Sequence, residues 1–195
     1  MCPHREVCLV FLIFLCSSAL AQPTLVKDIN TTFPDSSFLN EDAADVGGTL
    51  FFSFFDPAVG TELWKSDGMP GGTMRVKDIN PGTNGSFPES LVNVGGTLFF
   101  VADDGVHGDE LWKSDGTAAG TVLVSDLDPG PFGAGTTGLV EFGGDLYFLT
   151  FFGLHKSDGT AAGTILVKDL ECCSGPVCSS SLLQGDLRYT SDVLV

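Results

Sequence analysis

Two stretches of the sequence decide the fold: Gly95-Gly96-Thr97-Leu98-Phe99-Phe100 and Glu110-Leu111-Trp112-Lys113-Ser114-Asp115-Gly116. A glycine pair is typical of a two-residue hairpin turn, because glycine adopts positive φ freely. The residues that follow the pair are apolar on both faces of a strand, which predicts a sheet covered on both sides. The second stretch ends in Asp-Gly, a signal for a further turn.

Both stretches recur along the chain at a regular interval. The recurring positions are Gly47, Gly95 and Gly143 for the glycine pair, Trp64 and Trp112 for the tryptophan, and Asp67, Asp115 and Asp158 for the turn. The interval is about 48 residues, but the third copies of the tryptophan and turn positions, His155 and Asp158, come earlier than this interval predicts. Repetition of the Lys-Ser-Asp-Gly turn in every copy indicates that its residues build a scaffold.

Each repeat contains four short strand signals bounded by Gly, Asp or Pro. In the second repeat they lie at 90–94, 97–102, 110–114 and 121–127. Four short antiparallel strands in a period of about 48 residues are typical of a β-propeller blade. The sequence therefore predicts an all-β, propeller-like chain with repeats at about 30–79, 80–127 and 128–170. A β-solenoid is the alternative.

The segment 1–21 has the pattern of a cleaved secretory signal. An apolar run at 7–15 is followed by small residues up to Ala21. Nine apolar residues are too few to span a bilayer core of about 30 Å, and no later segment approaches the necessary length. We therefore expect a secreted or cell-surface protein without a transmembrane segment.

The composition limits the class of partner. Asp and Glu number 25 against 9 Lys and Arg, which gives a formal net charge of −16. Such an acidic surface repels phosphates and argues against nucleic-acid binding. The 43% hydrophobic content leaves enough apolar surface to bury a core, which argues against a disordered chain.

The C-terminal tail at 172–195 combines cysteines with a partial fourth repeat. We expect a disulfide that joins Cys178 to Cys173 or to Cys172, with one thiol spare; free thiols and a zinc site are the alternatives. Residues 182–190 resemble 139–149, and residues 25–29 resemble a fourth strand without its first three. One hypothesis is that these two segments share a composite blade; the alternative is an open fragment of a longer array.

One acidic loop has the residues of a calcium site. Calcium takes six to eight oxygen ligands, and closely spaced carboxylates around a glycine turn supply several. The candidate ligands are Asp103, Asp104, Asp109 and Glu110. The competing interpretation is a solvated hairpin loop whose aspartates hydrogen-bond their own backbone.

Signatures of catalysis are missing from the sequence. It contains no Gly-x-Ser-x-Gly elbow, no His-Glu-x-x-His pair and no phosphate-binding Gly-x-x-x-x-Gly-Lys loop. Trp64 and Trp112 could stack on a sugar ring, but their place within a short strand favours packing between blades. We predict no enzyme and, calcium aside, no cofactor.

The segment from Glu110 to Thr117, followed by Ala119-Gly120-Thr121, resembles the ELWxxDGT repeat of large exported bacterial proteins. The resemblance spans about residues 24–170. It implies secretion and a propeller-type β fold, and it implies no particular reaction. The third copy departs from the pattern, with His155 in place of tryptophan and Gly153 in place of glutamate.

These observations predict a secreted, non-catalytic repeat protein that acts as a binding or surface-interaction module. Its partner would be an extracellular protein or a carbohydrate. Two alternatives remain: a truncated fragment of a longer repeat protein without independent function, and an enzyme built on a propeller.

Overall fold

The computed structural model describes residues 43–69 and 71–170, which form twelve β-strands and no helix. The strands make three successive antiparallel sheets of four, each in chain order. The first sheet contains β1 (Ala43–Val46), β2 (Thr49–Asp56), β3 (Gly60–Ser66) and β4 (Met74–Arg75). The second contains β5 (Glu89–Val94), β6 (Thr97–Asp103), β7 (Asp109–Ser114) and β8 (Val122–Ser125). The third contains β9 (Thr137–Phe142), β10 (Asp145–Thr150), β11 (Gly153–Ser157) and β12 (Ile165–Asp169).

The expected all-β architecture of repeated four-stranded units is confirmed, and we call each sheet a blade. The glycine pairs form the turns between the first and second strands, with Gly95 at φ 59° and Gly96 at φ 87°. The fourth strand of the second blade spans Val122–Ser125, which is shorter than the expected 121–127, and residues beyond both of its ends form other hydrogen bonds. The Thr121 hydroxyl donates to the Thr117 carbonyl in the preceding turn, and the Asp128 amide donates to the Glu110 side chain.

The core lies between successive blades. Phe51 and Leu63 of the first blade form one buried cluster with Phe100 of the second. Phe99 on the same strand belongs to a second cluster, shared with Phe148 of the third blade. The second strand of the middle blade is therefore buried on both faces, as its sequence predicts. Burial of each such aromatic side chain stabilises the fold by about 1.5–3 kcal/mol.

A lysine and a glycine join each pair of neighbouring blades. Lys65 Nζ donates to the Gly116 carbonyl at 2.8 Å, and Lys113 Nζ donates to the Gly159 carbonyl at 2.7 Å. A Cβ built at Gly116 would lie 3.1 Å from the Phe51 ring. Its positive φ of 86° also favours glycine, so a side chain here would disturb both the turn and the contact between blades.

Each blade has two distinct ends. The turn end carries the Gly-Gly and Ser-Asp-Gly turns, whereas the linker end carries the β2–β3, β6–β7 and β10–β11 hairpins and the interblade links 76–88 and 126–136. The Asp103 amide donates to the Ser86 carbonyl, and the Phe151 amide donates to the Ala134 carbonyl. These bonds hold the links against the hairpins of the following blade, so the linker ends of the blades lie on one side.

Several predictions concern residues outside the described part of the chain. They are the signal segment 1–21, the strand at 25–29 and the tail 172–195 with Cys173 and Cys178. Within the described part there is no helix with the length and apolar character needed to cross a membrane.

Candidate functional site

A buried glutamate fixes the link between the first and second blades. Glu62 lies at the start of β3 with no exposed surface. Its carboxylate accepts hydrogen bonds from the Ile79 and Asn80 amides, both at 3.1 Å, and from the Ser86 hydroxyl at 2.6 Å. Burial raises the pKa of Glu62, and these three hydrogen bonds oppose that rise. The Glu62 carboxylate thus accepts the hydrogen bonds that these amides and this hydroxyl would otherwise donate to water.

Glu110 has the same place in the second blade and is also fully buried. Its Oε1 atom accepts hydrogen bonds from the Asp128 amide at 3.2 Å and the Ala134 amide at 3.0 Å. Its Oε2 atom has no hydrogen-bond partner. Burial raises the pKa of this carboxyl as well, and the hydrogen bonds from Asp128 and Ala134 oppose that rise. Glu110 therefore holds the second link.

We call each buried glutamate, together with the link groups that donate to it, a clamp; the first clamp has a serine hydroxyl donor that the second lacks. Ser86 in the first link follows Gly85, and Ala134 in the second link follows Gly133. Gly85 pairs in parallel with Thr61 near the start of β3, and Gly133 pairs in the same way with Asp109 at the start of β7. The Ser86 hydroxyl and the Ile79 amide both donate to Glu62 Oε2, whereas Ala134 has no hydroxyl to donate to Glu110 Oε2, which is unsatisfied. The third blade has Gly153 where the first two have the glutamate, so it holds no such clamp.

The four calcium candidates do not turn toward a common centre. Asp103 accepts the Gly105 amide, and Asp104 accepts the Val106 and His107 amides. Asp109 is exposed, whereas Glu110 is buried against the link. In residues 43–69 and 71–170, no three or more His, Cys, Asp or Glu side chains form a group that could hold a metal ion. The described geometry is that of a hairpin loop held by its own aspartates.

Asp104 and His107 form a close pair at the tip of the β6–β7 hairpin. The Asp104 Oδ2 atom lies 2.8 Å from His107 Nδ1. This hydrogen bond raises the pKa of His107. Partial burial would raise the pKa of Asp104, but the hydrogen bonds from His107 and Val106 bring it below its usual range. Both side chains therefore favour their charged forms, which ties the loop together.

The repeated aspartates and tryptophans have structural contacts. Asp115 and Asp158 each accept an amide and a hydroxyl hydrogen bond from the threonine two residues later, and Asp67 accepts the Met69 amide. Trp112 lies in the core between the first two blades. Trp64 contacts Phe54 edge-on, with ring centroids 5.4 Å apart. His155, in the corresponding place of the third blade, is buried and stacked on Phe148, and burial lowers its pKa.

Exposed aromatic side chains concentrate at the linker end. Of the six exposed phenylalanines in the described part of the chain, five lie there. They are Phe55, Phe87, Phe132, Phe151 and Phe152. Phe132 is 88% exposed, and Val106 at the tip of the β6–β7 hairpin is 63% exposed. These exposed apolar side chains lie on the same side of the described chain as the interblade links.

Phe87 has a backbone conformation that its side chain does not favour. Its φ is 47°, in the left-handed region, and the corresponding residue of the second link is Gly135 at φ 63°. A side chain in this region costs about 1–2 kcal/mol relative to glycine. An exposed phenylalanine in a place that suits glycine is a strained residue, and strained residues cluster at functional sites.

Comparison with known proteins adds no relative. No family model matches the chain, and no curated protein or solved structure matches it either. The resemblance of the stretch from Glu110 to Gly116 to ELWxxDGT repeats therefore stays a prediction from the sequence.

Proposed function

We propose that the chain is a secreted, non-catalytic binding module that holds a protein partner against the linker end of its blades. The observation that supports this proposal is the gathering of five exposed phenylalanines on that side. Rigid aromatic side chains supply much of the binding energy of protein interfaces at a low cost in conformational entropy.

The surroundings of these aromatics indicate the chemistry of the partner. Acidic side chains occur in the same hairpins and links, including Asp56, Asp104 and Asp126. Phenylalanine has no polar atom for a sugar hydroxyl, which favours a protein over a carbohydrate. An apolar surface surrounded by Lys and Arg would complement this end in both shape and charge.

The contacts of the titratable side chains support a non-catalytic role. Glu62 and Glu110 are occupied in holding links, and His155 is buried beside the Thr150 hydroxyl. Asp104 and His107 are bonded to each other at an exposed loop tip. Each of these groups has a structural partner in the part of the chain that the structure describes.

The experiment is a binding screen with matched variants. The purified full chain is applied to arrays of extracellular proteins and of glycans, and each hit is measured again by surface plasmon resonance. Phe132→Ser removes the most exposed aromatic of the linker end, while Met69→Ser alters a 63% exposed residue at the turn end. We expect Phe132→Ser to weaken binding by about tenfold or more, as for interface anchors, and Met69→Ser to leave it unchanged.

Other outcomes point elsewhere. Protein hits with equal affinity for wild type and Phe132→Ser would contradict the linker end as the contact surface. Hits on the glycan array alone would favour a carbohydrate-binding module. Binding that only Met69→Ser weakens would move the contact surface to the turn end.

A further inference from the structure

The exposure of one repeated valine shows whether the next blade along the chain covers that face of the sheet, which we call the outer face. Val76 and Val124 follow the same pattern in the first two blades and are 7% and 6% exposed. Val167 has this position in the third blade and is 49% exposed. Ile79 is likewise buried, whereas Leu170, three residues after Val167, is exposed. The outer face of the third blade therefore has the apolar residues of an interblade contact without the covering blade.

Polar and aromatic residues of the contact are present on this face too. Lys156 corresponds to Lys65 and Lys113, which donate to carbonyls of the next blade. Its Nζ instead lies 2.7 Å from Asp145 Oδ2, and 5.9 Å from the centre of the Tyr147 ring. Tyr147 corresponds to Phe51 and Phe99, which are buried at the two described contacts, but is itself only half-buried.

The chain beyond the third blade has suitable residues at a suitable distance. Twenty residues separate Val76 from Gly96 and Val124 from Gly144, and eighteen separate Val167 from Gly185. Asp186 and Leu187 follow Gly185 as Asp145 and Leu146 follow Gly144. Leu187 and Tyr189 then match Leu146 and Phe148, which are fully buried against the second blade.

We propose that the outer face of the third blade, formed by Tyr147, Leu154, Val167 and Leu170, is the docking surface for residues 182–190 of the same chain. Leu187 and Tyr189 pack there as Leu146 and Phe148 pack on the second blade. The occupant comes from the same chain because the link has nearly the length of the two that join described blades. The proposal does not depend on the binding function, since this face is distinct from the linker end.

Hydrogen exchange of the full chain, followed by mass spectrometry, tests the proposal. We expect slow exchange of the amides at 182–190 in the wild type. Val167→Glu places a carboxylate in the contact and should speed exchange at 182–190 by about tenfold or more, because an unpaired charge is costly to bury. Slow exchange at Leu98–Val101 in the variant would show that the core between the blades remains folded.

Ile165→Glu is the matched control. Ile165 lies on the same strand and is 53% exposed, but the corresponding Met74 and Val122 remain exposed in blades that have a neighbour. This variant should leave exchange at 182–190 unchanged. Wild-type exchange at 182–190 as fast as in the isolated peptide would overturn the proposal, as would protection that Val167→Glu leaves intact. Protection that appears only with rising concentration and a dimeric mass would assign the face to a second copy instead.

Discussion

The Ser86 hydroxyl donates a 2.6 Å hydrogen bond to the Glu62 carboxylate, and this bond joins the first interblade link to the start of β3. The second link repeats the arrangement around Glu110, but Ala134 replaces the serine and Glu110 Oε2 has no partner. A buried carboxylate oxygen without a partner costs free energy, because the protein does not replace the water that the oxygen loses. The two links therefore form a natural comparison between a satisfied clamp and an incomplete one.

Ala134→Ser should complete the second clamp. The new hydroxyl would stand where Ser86 stands in the first link and would donate to Glu110 Oε2. We expect the free energy of unfolding to rise by about 1 kcal/mol and the melting temperature by about 2–4 °C. Ser86→Ala should lower both by a similar amount. Thermal and urea unfolding measure the two variants, and a destabilised Ala134→Ser would indicate that the site does not hold the extra oxygen.

Glu110→Gln should change how stability depends on pH. Burial raises the folded-state pKa of Glu110 above its ordinary value of 4.5, so the folded chain binds this proton more tightly than the unfolded chain. The resulting stability is fully present below about pH 4.5 and is lost as pH rises through the folded-state pKa. Glutamine does not ionise, so the stability of the variant relative to wild type should increase with pH across this window.

Asp115→Asn is the control, because its stability relative to wild type should change with pH in the opposite direction. The hydrogen bonds from Thr117 lower the pKa of Asp115 below its ordinary value of 3.8. Its contribution to stability is present above that value and is lost as pH falls. Urea unfolding of both variants between pH 3 and 8 should therefore give difference curves with opposite slopes. A flat curve for Glu110→Gln would contradict a raised pKa at that carboxyl.

Lys113→Met should weaken the contact between the second and third blades. Methionine keeps the apolar stem but loses the 2.7 Å bond from Nζ to the Gly159 carbonyl. Hydrogen bonds from charged groups contribute about 1.5–3 kcal/mol, and we expect a loss of that order in urea unfolding. Lys156→Met removes a partly exposed ion pair with Asp145 and a contact with the Tyr147 ring, and it should cost less than Lys113→Met because water screens the pair. Equal costs would show that the lysine–glycine bond does not hold the blades together.

Phe87→Gly should raise the stability of the fold while it weakens partner binding. Glycine relieves the left-handed backbone, so the free energy of unfolding should rise by about 0.5–1 kcal/mol. The same change removes an exposed aromatic from the linker end and should weaken partner binding. Phe132→Gly is the control, because Phe132 is not among the residues with positive φ and should lose stability along with binding. A Phe87→Gly variant that is less stable than wild type would contradict the strain.

The strand pattern could be predicted because it depends on local signals. The glycine pairs mark the first turn of every blade, and the run Leu98–Val101 is apolar on both faces because blades cover both of its sides. The fourth strand was harder to bound. The expected strand at 121–127 is observed as Val122–Ser125, and the nearby Asp128 amide donates to Glu110, a contact across eighteen residues that no local signal announces.

The buried glutamates could not be recognised in the same way. Acidic residues are rarely fully buried, so Glu110 beside three aspartates suggests a solvated loop or calcium ligands. Its role depends on amides of the link, eighteen and twenty-four residues further along the chain. The one local signal is that Glu62 and Glu110 recur at the same place of two successive repeats, directly before Leu-Trp. The exposed phenylalanines come together only through the packing of the blades, which no single repeat reveals.

Hydroxyl-radical footprinting tests the central claim, that the linker end is the contact surface, most directly. The full chain is labelled alone and with a protein partner that the arrays select, and oxidation is measured at each side chain by mass spectrometry. Phe132, Phe87 and Phe151 should be protected in the complex, while Met69 at the turn end should react equally in both samples. Protection of Met69 with unchanged oxidation of the three phenylalanines would contradict the account.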